Sequence, residues 1–358
     1  MKRSKMTKPS RPPFKYLIAT AAMAASLGAH AAPANLVETG STLLYPLFNL
    51  WVPDYTANHP GVKITTQGTG SGTGIAQAIS GVAQIGASDA YMSDGQMKQS
   101  PNIVNIPLAI SAQTVNYNLP GLNKTHLKLD GPVLAGIYDG SIKKWDDAKI
   151  KALNPGVKLP DHGIVTVHRT DGSGDTFIFT QYLSFSTPSW SSGPGYGTSV
   201  SWPAVQGGVG ANGNPGMVQA AHQTPYSIAY IGVSFHKQID EAGLGTAMLK
   251  NRAGKFLLPT TATVNAAAAA MVAKTPADER LSLIFAPGEK SYPIVNYEYA
   301  IVNTHQADAN TGHVLKDFLT WTVGSSEGNS DKYLSAVRFV PLPAKIVTLS
   351  RAQISKIQ

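Results

Sequence analysis

Three short turns rich in Gly, Ser and Thr each open directly into a helical pattern, and this recurrence limits the folds open to the chain. The first, Thr39-Gly40-Ser41-Thr42, leads into Leu43-Leu44-Tyr45-Pro46-Leu47. The second, Gly68-Thr69-Gly70-Ser71-Gly72-Thr73-Gly74, follows Val62–Gln67, where apolar and polar residues alternate as in a strand, and runs into Ile75–Ile79. The third, Asp171-Gly172-Ser173-Gly174-Asp175-Thr176, follows the apolar run Gly163–His168 and enters Phe177-Ile178-Phe179-Thr180. Ala83–Ala87 and Ser227–Val233 are further short strand-like runs, and Leu43–Tyr55, Val133–Leu153, Phe177–Phe185 and Val314–Thr322 carry helical patterns. Strand and helix signals that alternate along the whole chain specify an α/β architecture.

The 358 residues suffice for two domains of ordinary size. With 43% hydrophobic and 14% charged residues, the chain is neither a disordered tail nor a coiled coil. The absence of cysteine excludes a disulfide scaffold, a thiolate metal site, a cysteine nucleophile and a lipid-modified cysteine anchor. A formal charge of +8 suggests a nucleic-acid partner until its location is considered. Lys2, Arg3, Lys5, Lys8, Arg11 and Lys15 precede the apolar stretch Tyr16–Gly28 and the small-residue end Ala29-His30-Ala31-Ala32, the layout of a secretory signal peptide. Cleavage after Ala31 removes six of 29 basic residues and leaves 23 against 21 acidic ones, so nucleic acid is not an expected partner. No later stretch has the roughly 18 consecutive apolar residues of a membrane span. Val264–Ala273 is instead a helix with a small-residue face, and the expected product is exported, without a lipid anchor, to the periplasm.

Ala112–Leu119 and Tyr292–Val302 read as extended crossings between two lobes, and Ser184–Pro215 as a long irregular surface loop. The expected division is a signal peptide over 1–31, a discontinuous first lobe over 32–116 and 293–358, and a second lobe over 117–292.

The first turn of a helix leaves backbone N–H groups unpaired and carries partial positive charge. Glycine lets that backbone approach a ligand closely, and Ser or Thr hydroxyls add neutral donors, so each of the three turns is a candidate oxyanion receptor. Arg169, at the end of the run Gly163–His168, could hold a tetrahedral oxyanion through its guanidinium. Asp89 ends Ile85-Gly86-Ala87-Ser88-Asp89, and a carboxylate beside an anion is useful only if the ligand carries a proton to donate. A fully ionised sulfate has none, so Asp89 would discriminate against it.

The set Gly40-Ser41-Thr42, Gly68–Gly74, Gly86-Ala87-Ser88-Asp89 and Arg169-Thr170-Asp171-Gly172-Ser173-Gly174 resembles the phosphate-binding proteins of bacterial phosphate ABC transporters. Leu129-Asp130-Gly131, Ile137–Asp147 and Leu153-Asn154-Pro155-Gly156 extend the resemblance over nearly all of the chain beyond residue 31. The resemblance implies a two-lobed periplasmic binding protein of type II with two hinge crossover strands. It also implies inorganic phosphate as ligand, an inner-membrane phosphate ABC permease as partner, a monomeric state and no cofactor. By the same resemblance, Ser41, Thr42 and the Leu43 backbone N–H donate from the first turn and Ser71 from the second. Asp89 accepts the phosphate proton, and Arg169, oriented by Asp171, pairs with phosphate oxygens. Ser173, Gly174 and position 175 complete the third helix start. Position 43 is often aromatic in the family and is Leu here; position 175 is often Thr and is Asp here. Asp175 is expected to cap its helix and offer its backbone N–H to ligand, with Thr176 supplying the missing hydroxyl.

Other motifs weigh less. Gly208-Val209-Gly210-Ala211-Asn212-Gly213 matches a dinucleotide fingerprint but lies in the expected irregular loop, without the strand–turn–helix context that gives it meaning. Asp171-x-Ser173-x-Asp175 opens like a calcium loop, but its sixth position is Thr176 and its twelfth Tyr182. The nine histidines form no metal-ligand pair on a helix, and His168 points away from Arg169 by strand alternation. No serine sits in G-x-S-x-G, which disfavours a serine hydrolase or secreted phosphoesterase. Asp89 disfavours a sulfate or molybdate receptor. The chain is expected not to be an enzyme.

Overall fold

The computed structural model describes Met1, residues 34–205 and residues 207–358; the signal-peptide expectation over 1–31 lies outside the described residues. The strands are β1 (Ala34–Gly40), β2 (Val62–Gly68), β3 (Ile85–Ser88), β4 (Ile103–Tyr117), β5 (Lys128–Leu129) and β6 (Val165–Arg169). They continue with β7 (Val209–Ala211), β8 (Ser227–Gly232), β9 (Gly245–Thr246), β10 (Met248–Lys250), β11 (Phe256–Leu257) and β12 (Val295–Asn303). One sheet runs β2-β1-β3-β12-β4-β8-β6-β7, with β9 also on β4, and a small second sheet runs β11-β10-β5.

The large sheet is two parallel clusters joined by long strands. β1 pairs in parallel with β2 and β3, and β6 in parallel with β7 and β8, each cluster needing helical crossovers to bring successive strands alongside one another. β4 connects them. Its first half pairs antiparallel with β12 as far as Ala112↔Val295, and its second half, from Gln113, pairs antiparallel with β8. All fifteen residues of β4 are buried, the polar Asn105, Ser111, Gln113, Thr114 and Asn116 among them. The expected crossing at Ala112–Leu119 therefore begins where β4 changes partners. The second crossing enters β12 through Ile294, whose carbonyl accepts the Gln113 N–H.

Each cluster has its own aromatic core. The helix Tyr45–Asn58 buries Leu47, Phe48, Trp51 and Tyr55, and Tyr55 meets Phe318 of the helix Ala309–Thr322 edge-on at 4.9 Å between ring centres. On the other side Phe179 stacks on Tyr230 at 4.5 Å and Tyr138 meets Phe179 at 5.0 Å. Each such buried side chain contributes roughly 1.5–3 kcal/mol over its exposed state, so both cores anchor the strand ends that carry the site.

Two sequence expectations are corrected. Val133–Leu153 is two helices, Gly131–Tyr138 and Ala148–Leu153, because the chain turns at Gly140 (φ 79°) and inserts Trp145, whose backbone N–H bonds to His162 O. Ser184–Pro215 is not irregular throughout: one helix runs to Ser186, a short one spans Pro188–Ser192, and β7 leads into the helix Gly213–Gln223. The glycine fingerprint Gly208–Gly213 contains β7 instead of following a strand, so it still lacks the setting that would give it meaning. The alanine-rich run forms the expected helix, Thr261–Met271. Among the described residues no helix is long and apolar enough to cross a membrane.

Candidate functional site

Three strands of one parallel cluster and two of the other end at one place, and each delivers a polar segment there: Ser41 after β1, Ser71 after β2, Asp89 after β3, Arg169 at the end of β6 and Gly213 after β7. A crevice outside the carboxyl ends of parallel strands is where open α/β sheets bind ligands. Ser41 Oγ accepts the N–H groups of Leu43 (3.1 Å) and Leu44 (3.0 Å) and donates to Asp89 Oδ1. The Leu43 N–H, expected to face ligand, is therefore held within its own turn. Ser71 is the first residue of the helix Ser71–Ile79; its Oγ accepts the Asp89 N–H at 3.2 Å and donates to Asp89 Oδ2 at 3.4 Å. Two hydroxyls from different strand ends thus meet on one carboxylate.

The third helix start presses on the same spot. At Gly174 a Cβ would be driven into the Asp89 carboxylate and the Ser71 hydroxyl, so only glycine allows this approach. Ser173 caps the helix, its Oγ accepting the Thr176 N–H at 3.1 Å. The expected cap role of Asp175 is corrected accordingly. Its buried side chain turns inward, where Oδ1 accepts from Gln113 Nε2 (3.0 Å) and Oδ2 from Arg169 Nη1 (2.8 Å) and Asn214 Nδ2 (2.6 Å). The Thr176 hydroxyl pairs with Tyr230 Oη at 2.7 Å, and Tyr230 Oη in turn accepts the Arg169 N–H at 2.9 Å.

Arg169 is 3% exposed and holds its carboxylate partners with three of its five N–H donors: Nε and Nη2 grip the two Asp171 oxygens, the former at 2.7 Å, while Nη1 reaches Asp175. Burial opposes its charge, but Asp171 and Asp175 keep its pKa above the ordinary arginine value. Asp171 feels the same burial, yet Arg169 holds its carboxyl below the usual range. Burial raises the Asp175 carboxyl in spite of Arg169. Asp89 is pushed up to about 7, first by burial and then by the charge of Asp175, with bonds from Glu298 and Ser41 pulling the other way.

The two clusters touch across this site. Gly72 N–H donates to Gly172 O at 2.8 Å, and a Cβ on Gly72 would come within 3.1 Å of Gly172 Cα. Thr42 Oγ1 accepts both the backbone N–H (3.1 Å) and side-chain amide (3.0 Å) of Asn214, and Ser234 Oγ donates to Leu43 O at 2.7 Å. Ser41, Ser71, Ser173 and Asp89 are all buried as a result. Every residue expected at the site lies in this region. Four others there escaped sequence reasoning: Asn214, Gln113, Tyr230 and Glu298. For Asn214 a signal existed, since Asn212-Gly213-Asn214-Pro215 places a proline in the first turn of a helix. Gln113, Tyr230 and Glu298 sit inside strands and have no local signature. His168 faces the Trp202 ring (5.4 Å between centres), away from the site. Among the described residues no group of His, Asp and Glu could hold a metal ion.

The sequence matches the PBP superfamily domain over residues 27–327. It is 35% identical over 346 residues to the phosphate-binding protein PstS of Methanocaldococcus jannaschii, covering 91% of this chain and 87% of that one. It is 34% identical over 319 residues to the PstS of Haemophilus influenzae, covering 89% and 92%. A solved high affinity periplasmic phosphate-binding protein with bound phosphate superposes with a TM-score of 0.72 at 23% identity, over 89% of this chain and 93% of that one. A phosphate-binding protein from Stenotrophomonas maltophilia gives 0.66 at 19% identity, over 89% and 93%. These two likenesses speak to the fold.

Proposed function

The chain belongs to the PBP superfamily and, within it, to the PstS phosphate-binding proteins, and from that premise we propose that it binds inorganic phosphate at the meeting point of Ser41, Ser71, Asp89 and the helix start at Gly174. It is a binding protein of ABC-type phosphate import rather than an enzyme. The observation that carries the site assignment is the convergence of two serine hydroxyls and a glycine-led helix start on the single buried carboxylate of Asp89.

The chemistry is an exchange of donors. Ser41 and Ser71 each have one hydroxyl proton, and both are given to Asp89. An oxyanion that takes either hydroxyl leaves Asp89 short of a donor. Phosphate returns one through its own P–OH; sulfate has nothing to return, and the buried carboxylate would then face an oxygen lone pair. The backbone N–H groups at the starts of the helices at Ser71 and Gly174 supply neutral attraction. Ser173, Thr42, Leu43 and Thr176 complete the set in this reading, some of them by exchanging their present internal bonds for ligand ones. Asp171 and Asp175 hold Arg169 in place.

The lobes, 32–116 with 293–358 against 117–292, close on the ligand about β4 and β12 and present a surface to the inner-membrane permease. The protein works in the periplasm as a monomer after loss of a signal peptide. Titration calorimetry with phosphate and sulfate tests the reading. Wild type should bind phosphate and ignore sulfate, and Asp89→Asn should lose more of that discrimination than of phosphate affinity. Equal affinity for both anions in wild type, or unchanged discrimination in Asp89→Asn, would sink it.

A further inference from the structure

A second carboxyl group stands directly behind Asp89 and takes no part in the exchange just described. Glu298 lies on β12 and is fully buried. Its Oε1 accepts from Ser111 Oγ at 2.5 Å and from Asn296 Nδ2 at 3.0 Å. No donor among the described residues reaches Oε2, which is also shielded from solvent. The Asp89 carboxylate is the charged side chain paired with the Glu298 carboxyl. Two ionised carboxylates in contact without solvent are untenable, so one of the two holds a proton.

The surroundings decide which. Asp89 has Ser41 and Ser71 donating to its oxygens and Arg169 in electrostatic reach, each of which favours its ionised form. Asp175, on the helix Gly174–Ser186, is the opposing charge on that side. Glu298 has only the neutral Ser111 of β4 and Asn296 of its own strand, with Asp89 the charged group facing it from the end of β3. We propose that Glu298 is a positioning residue for selectivity: it remains a neutral carboxylic acid and donates its proton from Oε2 to Asp89, which keeps Asp89 an ionised acceptor aimed at the ligand. Burial, and then the charge of Asp89, hold the Glu298 proton in place far above the ordinary carboxylate range. This role rests on the phosphate reading, because it matters only where an acceptor must meet a protonated oxyanion.

The test uses two variants of the whole protein and two readouts. Glu298→Gln keeps a donor toward Asp89 and should hold the phosphate-to-sulfate preference within about twofold of wild type. Glu298→Leu removes it. Losing one hydrogen bond to a charged group raises Asp89 by about one pH unit, so the acid limit of phosphate binding should move up by that amount and the preference should fall about tenfold. A wild-type profile in Glu298→Leu, or equal losses in both variants, overturns the proposal. The second readout needs no ligand. The infrared difference between wild type and Glu298→Gln at neutral pH should contain the carbonyl band of a neutral carboxylic acid; carboxylate bands in its place overturn the assignment, even if Glu298→Leu does not fold. Failure to bind phosphate by wild type would remove the phosphate reading while the infrared result still decides the state of Glu298.

Discussion

The two sides of the cleft solve different problems with different chemistry. The side built on β1, β2 and β3 offers hydroxyls and one carboxylate: Ser41, Thr42, Ser71 and Asp89. The side built on β6 and β7 contains the only guanidinium of the site, yet Arg169 is already bound by Asp171 and Asp175, and those carboxylates by Gly213, Gln113 and Asn214. A lone arginine beside an anion site suggests a free counter-charge. The contacts make it instead the centre of a locally neutralised frame. In the reading proposed above, neutral donors and helix starts supply much of the attraction for an oxyanion, and Asp89 reads its identity.

The sharpest way to break this comparison is to remove Arg169. Were Arg169 a ligand-facing charge, Arg169→Ala would cost affinity and leave the fold alone. As the centre of a buried network it leaves two carboxylates uncompensated, and breaking a buried pair in this way costs about 3–5 kcal/mol of stability. Urea unfolding without ligand should show that loss, and adding Asp175→Asn should restore part of it, a coupling that a double-mutant cycle measures. Wild-type stability in Arg169→Ala would return the guanidinium to the ligand.

Asp89 gives the next largest effect, and it concerns the opposite side. Its folded value of about 7 exceeds the ordinary 3.8, so between these pH values the folded chain binds more protons than the unfolded one. The stabilisation is complete below the unfolded value and is lost as pH rises through the folded one. Ligand-free wild type should therefore melt several degrees lower at pH 8 than at pH 5. In Asp89→Asn that decline should shrink without vanishing, since burial also raises Glu279, to about 8. An identical pH dependence in the two proteins would mean that Asp89 is ionised at no cost and that its side of the cleft is as well compensated as the other.

How far the sequence reveals these two sides differs between them. The hydroxyl side is local: a Gly/Ser/Thr turn before a helix is visible in a few consecutive letters, and Ser41, Ser71 and Gly174 follow from it. The compensated side is made of partners far apart along the chain, such as Gln113 to Asp175 across 62 residues and Asn214 to Thr42 across 172. Nothing in the letters around Asp175 states that it faces inward, so its departure from threonine reads as a helix cap. The α/β class and the crossing at β4 were legible because alternation and buried runs persist over many residues. The break at Gly140 and the strand at Val209–Ala211 were not, because a single positive-φ glycine and a three-residue strand leave too little pattern.

Asn214 joins the two sides and gives the smallest of the expected effects. Its side-chain amide donates to Thr42 on one side and Asp175 on the other, while its Oδ1 accepts the Gly232 N–H at 2.8 Å. Asn214→Ala removes all three bonds, but Arg169 and Gln113 still satisfy Asp175, Thr42 Oγ1 still accepts the backbone N–H of residue 214, and the Gly232 N–H is the group left without its acceptor. The loss in stability should be about 1–3 kcal/mol, that of a buried polar group left without its partner. The more telling quantity is the rate at which phosphate leaves. If the contact holds the closed arrangement, the dissociation rate in stopped flow should rise several-fold while association changes little, because a bond formed only on closure acts on release. A dissociation rate equal to wild type would mean that the seam at Gly72 and Gly172 suffices, and that the frame around Arg169 shapes the site without helping to keep it shut.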